Sequence, residues 1–127
     1  MYGYTGKILR VNLSDEKVVT EKYSEEFAEM YLGGNGFAAK ILYDEVGANV
    51  KPLEPENKLI FAPGLFTGFG IPTASKSGFY GKSPLTLGLG EAIVGAWLGV
   101  NLKKAGYDVL IVEGKSEKPA LIWVKNR

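Results

Sequence analysis

Residues 107–113 read YDVLIVE. The run Val109-Leu110-Ile111-Val112 is continuously apolar, the pattern of a strand buried on both faces inside a sheet. Working outward, Gly106 precedes it, and the stretch from Gly114 to Pro119 reads as a turn. Residues 120–125, ALIWVK, then predict a final strand, making 107–125 a hairpin. At the other end of the chain, 7–13 (KILRVNL) alternates, with Ile8, Arg10 and Asn12 opposite Leu9, Val11 and Leu13. Ser14-Asp15 starts a turn, and 17–23 (KVVTEKY) supplies a second strand. A turn this short favours an antiparallel hairpin over a crossover.

The middle of the chain carries helical signals. Ser24 is an N-cap residue, and Phe27, Met30 and Tyr31 follow at helical spacing. The third position after the cap is Phe27, so no capping box forms, but Glu25 and Glu26 suit a first turn. Gly33-Gly34 ends that helix. A second helix spans 36–46, with Phe37, Ile41 and Leu42 on one side and Gly47 as terminator. Residues 48–57 form a loop punctuated by Pro52 and Pro55, and 58–62 (KLIFA) a short buried strand. Residues 76–82 (KSGFYGK) make a strand weakened by glycine. Residues 91–105 predict a helix whose face of Ala92, Gly95, Ala96 and Gly99 is very smooth. The sum is an α+β layered domain with a mixed sheet.

The 127 residues suffice for one domain but not for two complete ones. The composition, 46% hydrophobic and 23% charged, is globular, and a formal charge of +1 offers no electrostatic footprint for nucleic acid. There is no cysteine, which excludes a disulfide, a thiolate zinc site and cysteine-ligated iron–sulfur on this chain. There is no histidine, the usual base near neutral pH. Chemistry here falls to carboxylates, lysines, hydroxyls, backbone groups or a cofactor. The opening MYGYTGKILRVNL lacks the apolar stretch of a secretory signal, and no segment has the apolar length to cross a membrane. A cytoplasmic protein with no membrane contact is expected.

Residues 64–99 hold nine of the seventeen glycines and only three charged side chains, Lys76, Lys82 and Glu91. The glycine spacing matches neither the dinucleotide fingerprint nor a Walker loop, and Pro72 stands where a helix would begin. Two readings stand side by side: tight turns at a sheet edge, or a backbone surface presented to a flat ligand whose phosphates meet amide groups. Lys76, with Thr73, Ser75 and Ser77 around it, is a phosphate partner in the second reading and a solvent-facing lysine in the first. Glu91 is expected in a helical first turn and lacks a catalytic partner nearby. Trp97 and Trp123 are expected in the core before a pocket. Asp15-Glu16 and Asp44-Glu45 give no metal-ligand spacing.

The ordered blocks GKILRVNLS (6–14), YLGGNG (31–36), PLEPENKLIFAPG (52–64), PTAS (72–75), KSPLT (82–86), AGYD (105–108) and VEGK (112–115) resemble the N-terminal domain of the aldehyde ferredoxin oxidoreductase family, tungsten- and molybdenum-dependent pterin enzymes. The resemblance spans essentially the whole chain. It implies a single N-terminal-type pterin cofactor-binding domain over 1–127, incomplete relative to the longer domain of the family. It implies a tungsten or molybdenum bis-pyranopterin with bridging magnesium, seated on residues 72–99. The family's phosphate-contacting arginine falls at Lys76, with Ser75 and Ser77 beside it. Gly95 falls where backbone approaches the pterin phosphates and magnesium. Ile93 falls where family enzymes carry asparagine, so only its carbonyl remains to serve. Lysine keeps the charge at 76 but loses the planar fork.

The function implied is oxidation of an aldehyde to a carboxylic acid, with electrons passing through an iron–sulfur centre to ferredoxin. The cluster ligands, and hence the route to ferredoxin, would lie on remaining oxidoreductase domains or another subunit, so this chain alone is not expected to be active. The alternative is a stand-alone non-enzymatic homologue that self-associates or binds the pterin without catalysis. A generic phosphate-binding module is a third reading.

Overall fold

The computed structural model describes residues 2–125. Nine elements follow one another: β1 (Lys7–Asn12), β2 (Lys17–Lys22), α1 (Glu25–Tyr31), α2 (Asn35–Glu45), β3 (Lys58–Pro63), β4 (Ser77–Lys82), β5 (Leu89–Val94), α3 (Trp97–Lys104) and β6 (Val109–Glu113). The strands form one sheet in the order β2-β1-β6-β3-β4-β5. β1 and β6 are parallel and every other pair is antiparallel, so the sheet is mixed. β6 lies inside it, between β1 and β3, as its apolar run requires.

Cross-strand partners share a face. Ile8, Ile60, Ala62, Tyr80, Val109 and Ile111 point to the face covered by α1 and α2, where they meet Ala28, Phe37, Ala38, Ile41 and Leu42. Phe37 is the aromatic centre, with ring centroids 4.8 Å from Phe27 and 5.1 Å from Tyr23. Fully burying side chains of this size contributes roughly 1.5–3 kcal/mol each, which makes this layer the main source of stability. α3 packs on the opposite face, against β3. There the Phe61 and Phe79 rings pack at a tilt, with centroids 4.7 Å apart.

Asp108 fastens the chain start to this frame. Its Oδ2 accepts from Thr5 N (2.7 Å), Thr5 Oγ1 (2.8 Å), Gly6 N (2.9 Å) and Tyr23 Oη (2.6 Å), while Lys103 Nζ stands 3.0 Å from Oδ1. Burial pushes this carboxyl up, but the hydrogen bonds from Tyr23 and Thr5 and the Lys103 charge outweigh it and hold it below the ordinary range. Lys103 also donates to the Gly3 carbonyl at 2.9 Å. A second knot joins α2 to the sheet: Arg10 reaches Glu21 at 2.6 Å, Glu45 at 2.8 Å and Glu113 at 3.0 Å, and Lys58 also pairs with Glu113.

Three expectations need correction. Residues 91–105 are not one helix. Residues 89–94 form β5, with Glu91 opposite Tyr80 and Ile93 opposite Gly78, and only 97–104 are helical. β4 offers a free edge, and its ladder hydrogen bonds outweigh a helix already weakened by Gly95 and Gly99. The break falls at Ala96, at φ 66° and ψ −146°. Glu91 is therefore a strand residue, not a helical first-turn carboxylate. The expected strand 120–125 has no regular structure and pairs with nothing among the described residues, so 107–125 is not a hairpin. Both flanks of β6 are already taken by β1 and β3. Trp97 and Trp123, expected in the core, are 70% and 79% exposed.

Candidate functional site

The glycine-rich stretch turns one end of the sheet into a cleft of about 280 Å³. One wall is the break between α1 and α2, at Leu32, Gly33, Gly34 and Asn35. The floor is Ala62, Gly64 and Gly78, and the other wall is Lys76, Tyr80, Glu91 and Ile93. The local reasons are simple. α1 ends at Leu32 with positive φ, and Gly33 and Gly34 follow at φ 136° and 52°, turning the chain sharply into α2. A Cβ on Gly34 would lie 3.7 Å from Gly64 Cα, an ordinary van der Waals contact, so it is the positive φ and not lack of space that favours glycine here. In-register pairing then fixes the opposite wall, because Gly78 faces Ile93 and Tyr80 faces Glu91.

Tyr80 is 3% exposed, and its hydroxyl leans over Gly78, 2.2 Å from the point a Cβ there would occupy. Burial, and then the Glu91 charge, push its phenol pKa up, so the group stays protonated.

Of the residues singled out in the sequence, Lys76, Ser77 and Ile93 border this cleft. Gly95 stands beside it: a Cβ on Gly95 would lie 3.7 Å from Lys76 Nζ. Ser77 contributes backbone, while its hydroxyl lies against Gly99 of α3 on the other side of the sheet. Ser75 borders a separate depression with Thr73, Ala74, Trp97 and Val100. Lys82 is not free in solvent. Its Nζ donates to the carbonyls of Ala48 (2.7 Å) and Gly47 (3.3 Å) just beyond α2. Sequence reasoning missed the Gly33-Gly34 wall, Tyr80 and the place of Glu91. The signal was present in the alternation of 76–82, which sets Lys76, Gly78 and Tyr80 on one face.

Among the described residues no three His, Cys, Asp or Glu side chains are grouped to hold a metal ion. No helix is long and apolar enough to cross a membrane. The family model described as the aldehyde ferredoxin oxidoreductase N-terminal domain matches residues 8–127. The chain belongs to this family. The chain is 46% identical over 126 residues to the tungsten-containing aldehyde ferredoxin oxidoreductase of Pyrococcus horikoshii, covering 99% of this chain and 21% of that relative. The enzyme of the same name from Pyrococcus furiosus gives the same figures. A solved structure, the active-site complex BamBC of benzoyl coenzyme A reductase with 1,5-dienoyl-CoA, superposes with a TM-score of 0.89 at 38% identity, over 92% of this chain and 18% of that one. The chain thus spans about a fifth of the length of the family members it matches. The layered mixed-sheet domain expected from the resemblance is the fold observed.

Proposed function

We propose that this chain is the cofactor base of a tungsten- or molybdenum-pterin aldehyde oxidoreductase. The observation that carries the reading is the joining of Lys76 to a cleft walled by Gly33, Gly34, Gly64 and Gly78. A flat phosphate-bearing group needs close approach to backbone and a cation for its phosphate, and this cleft offers both. The residues fit the phosphate end of such a group and not its metal, because Ile93 offers only its carbonyl and, among the described residues, no acidic or imidazole cluster adjoins it. Lys76 would hold the phosphate, the glycines would admit the group, and Gly95 would let backbone come close. A bridging magnesium would take its remaining ligands from the phosphates and from other parts of the protein. The cofactor, when bound, supplies the two-electron chemistry that takes an aldehyde and water to a carboxylic acid. The iron–sulfur cluster that passes electrons to ferredoxin would be carried by other domains or another subunit.

Partners of this kind agree with the apolar side chains left outside. Ile93, Val94, Trp97 and Leu98 are each at least one third exposed along β5 and the start of α3. The deciding experiment is elemental analysis for tungsten and molybdenum on the natively purified protein, with fluorescence of the oxidised pterin. Stoichiometric metal and pterin, reduced several-fold by Lys76→Ala, are expected. Metal-free, pterin-free native protein that still assembles into a defined oligomer would replace this reading with the non-enzymatic one.

A further inference from the structure

A groove of about 260 Å³ runs between the end of α2 and the turn that joins β4 to β5. The cleft described above opens at the start of α2, and the groove lies at its other end, roughly 15 Å along a helix of eleven residues. Its lining is apolar: buried Leu42, half-buried Val46, and exposed Tyr43, Leu87 and Leu89. Leu87 is the unexpected member. It is 63% exposed and sits at φ 60°, in the left-handed region that favours glycine. Leu87 N donates to the Ser83 carbonyl at 2.9 Å, and Ser83 N to the Gly88 carbonyl at 2.8 Å, which hold the turn in that shape. A glycine there would spare both the backbone strain and the exposed side chain. A leucine gains only where something apolar lies against it.

The charge in the groove is equally specific. Lys82 is the one charged residue that borders it. Its Nζ gives two of its three hydrogens to the Ala48 and Gly47 carbonyls, which leaves one donor. Among the described residues no carboxylate pairs with it. Asp44 and Glu45, beside the groove in sequence, are taken by Lys40 and by Arg10 and Lys58.

We propose that this groove binds a small apolar carboxylate of the alkanoate class. The alkyl chain lies against Leu42, Leu87 and Leu89, and the carboxylate takes the remaining N–H of Lys82. One cation with one free donor suits a carboxylate. A phosphate brings more oxygens and more charge, and the only other side-chain donor in the lining is the Tyr43 hydroxyl. The volume falls below the roughly 300 Å³ at which sites for drug-sized ligands begin, so the alkyl chain is short. The proposal stands independently of the cofactor-base reading, because it uses neither Lys76 nor the glycine-walled cleft.

The test is titration of the natively purified protein with hexanoate, followed by calorimetry and by the methyl resonances of Leu42, Leu87 and Leu89. One hexanoate per chain should bind and move all three. Hexanamide has the same chain without the charge, and it should bind about five-fold more weakly, the scale of a partly exposed ion pair. Lys82→Met should bring the two ligands to the same affinity. Leu87→Gly suits the positive φ, so it keeps the fold, and it should weaken both ligands several-fold. The comparison of the two ligands on the unaltered protein does not depend on any variant folding. Equal affinity for hexanoate and hexanamide there, or hexanoate that leaves the three leucines unmoved, overturns the proposal. Unmoved leucines that are also shielded from a soluble paramagnetic agent would overturn it in favour of a protein–protein contact over this groove.

Discussion

The Ser77 hydroxyl lies 1.9 Å from the point a Cβ on Gly99 would occupy, so β4 and α3 meet through the absence of that one methyl group. Ser77 is 4% exposed, and its Oγ has no hydrogen-bond partner among the described residues. Two changes separate the effects. Ser77→Ala removes a buried hydroxyl that nothing satisfies and should be neutral or stabilising by up to about 1 kcal/mol. Gly99→Ala alone should destabilise by about 1–3 kcal/mol, since the new methyl also meets Pro63 Cβ at 3.3 Å. In the Ser77→Ala background the same change should cost clearly less, and a double-mutant cycle by urea denaturation measures the coupling. Additive effects would mean that the two residues do not define this contact.

Ala96 sits at φ 66° and ψ −146°, a region that is close to glycine-only, at the junction of β5 and α3. Ala96→Gly should therefore raise stability by about 1 kcal/mol despite the greater freedom it gives the unfolded chain. Thermal unfolding of the two proteins in one buffer checks it. A lower melting temperature for the glycine variant would show that the strain is not borne at this residue.

This junction also marks where the sequence stops being legible. β1, β2, β3 and β6 could be read because their apolar alternation or continuity is strong, and α1 because Ser24 accepts from Phe27 N at 3.1 Å as an N-cap should. Residues 89–94 could not. From 92 to 99, Ala92, Gly95, Ala96 and Gly99 have no side chains large enough to carry a period, so the pattern does not show where strand gives way to helix. The decision came from the vacant edge of β4, a partner that local sequence does not reveal. The strand expected at 120–125 failed for the converse reason: the local pattern suits a strand, but β6 has no edge left to pair with it. At the cleft, Lys76 was legible as a rare cation among glycines. Tyr80 and the Gly33-Gly34 wall were not, because they meet only after β3 and β4 pair beneath α2.

Trp97 is 70% exposed beside Leu98 at 53% and Ile93 at 55%, on the side of the sheet where β5 has no further neighbour. Produced without partners, the 127-residue chain should associate with itself through this surface. Trp97→Lys should lower the weight-average mass toward that of the monomer, because a lysine ammonium resists burial there. Sedimentation equilibrium over a wide concentration range decides. A monomer at every concentration for the unmodified chain would reject the surface as an association site.

Acid should loosen the anchor at Asp108. Its folded pKa lies below the ordinary carboxylate range, because donors from Tyr23 and Thr5 and the Lys103 charge outweigh the cost of burial. A depressed carboxylate contributes stability that is fully present above its unfolded pKa, near 3.9, and is lost as pH falls through the folded value. Between pH 5 and 8 this group should give no slope. Below about pH 4 the urea midpoint should fall as Asp108 takes up a proton and four donated hydrogen bonds lose their charged acceptor. Glu113 is also held below its ordinary range. Burial raises it, but Lys58 and Arg10 more than reverse that, so it contributes to the same acid limb. The difference between proteins isolates Asp108. Asp108→Asn should cost about 3–5 kcal/mol at neutral pH, because it leaves the Lys103 ammonium, 9% exposed, without its counter-charge. It should also flatten the acid limb relative to wild type. Tyr23→Phe removes one donor and keeps the ring against Phe37, so it should show the same flattening in weaker form. An acid limb of unchanged steepness in both variants would assign the transition to other carboxylates and leave Asp108 with a purely geometric part in holding Thr5 and Gly6.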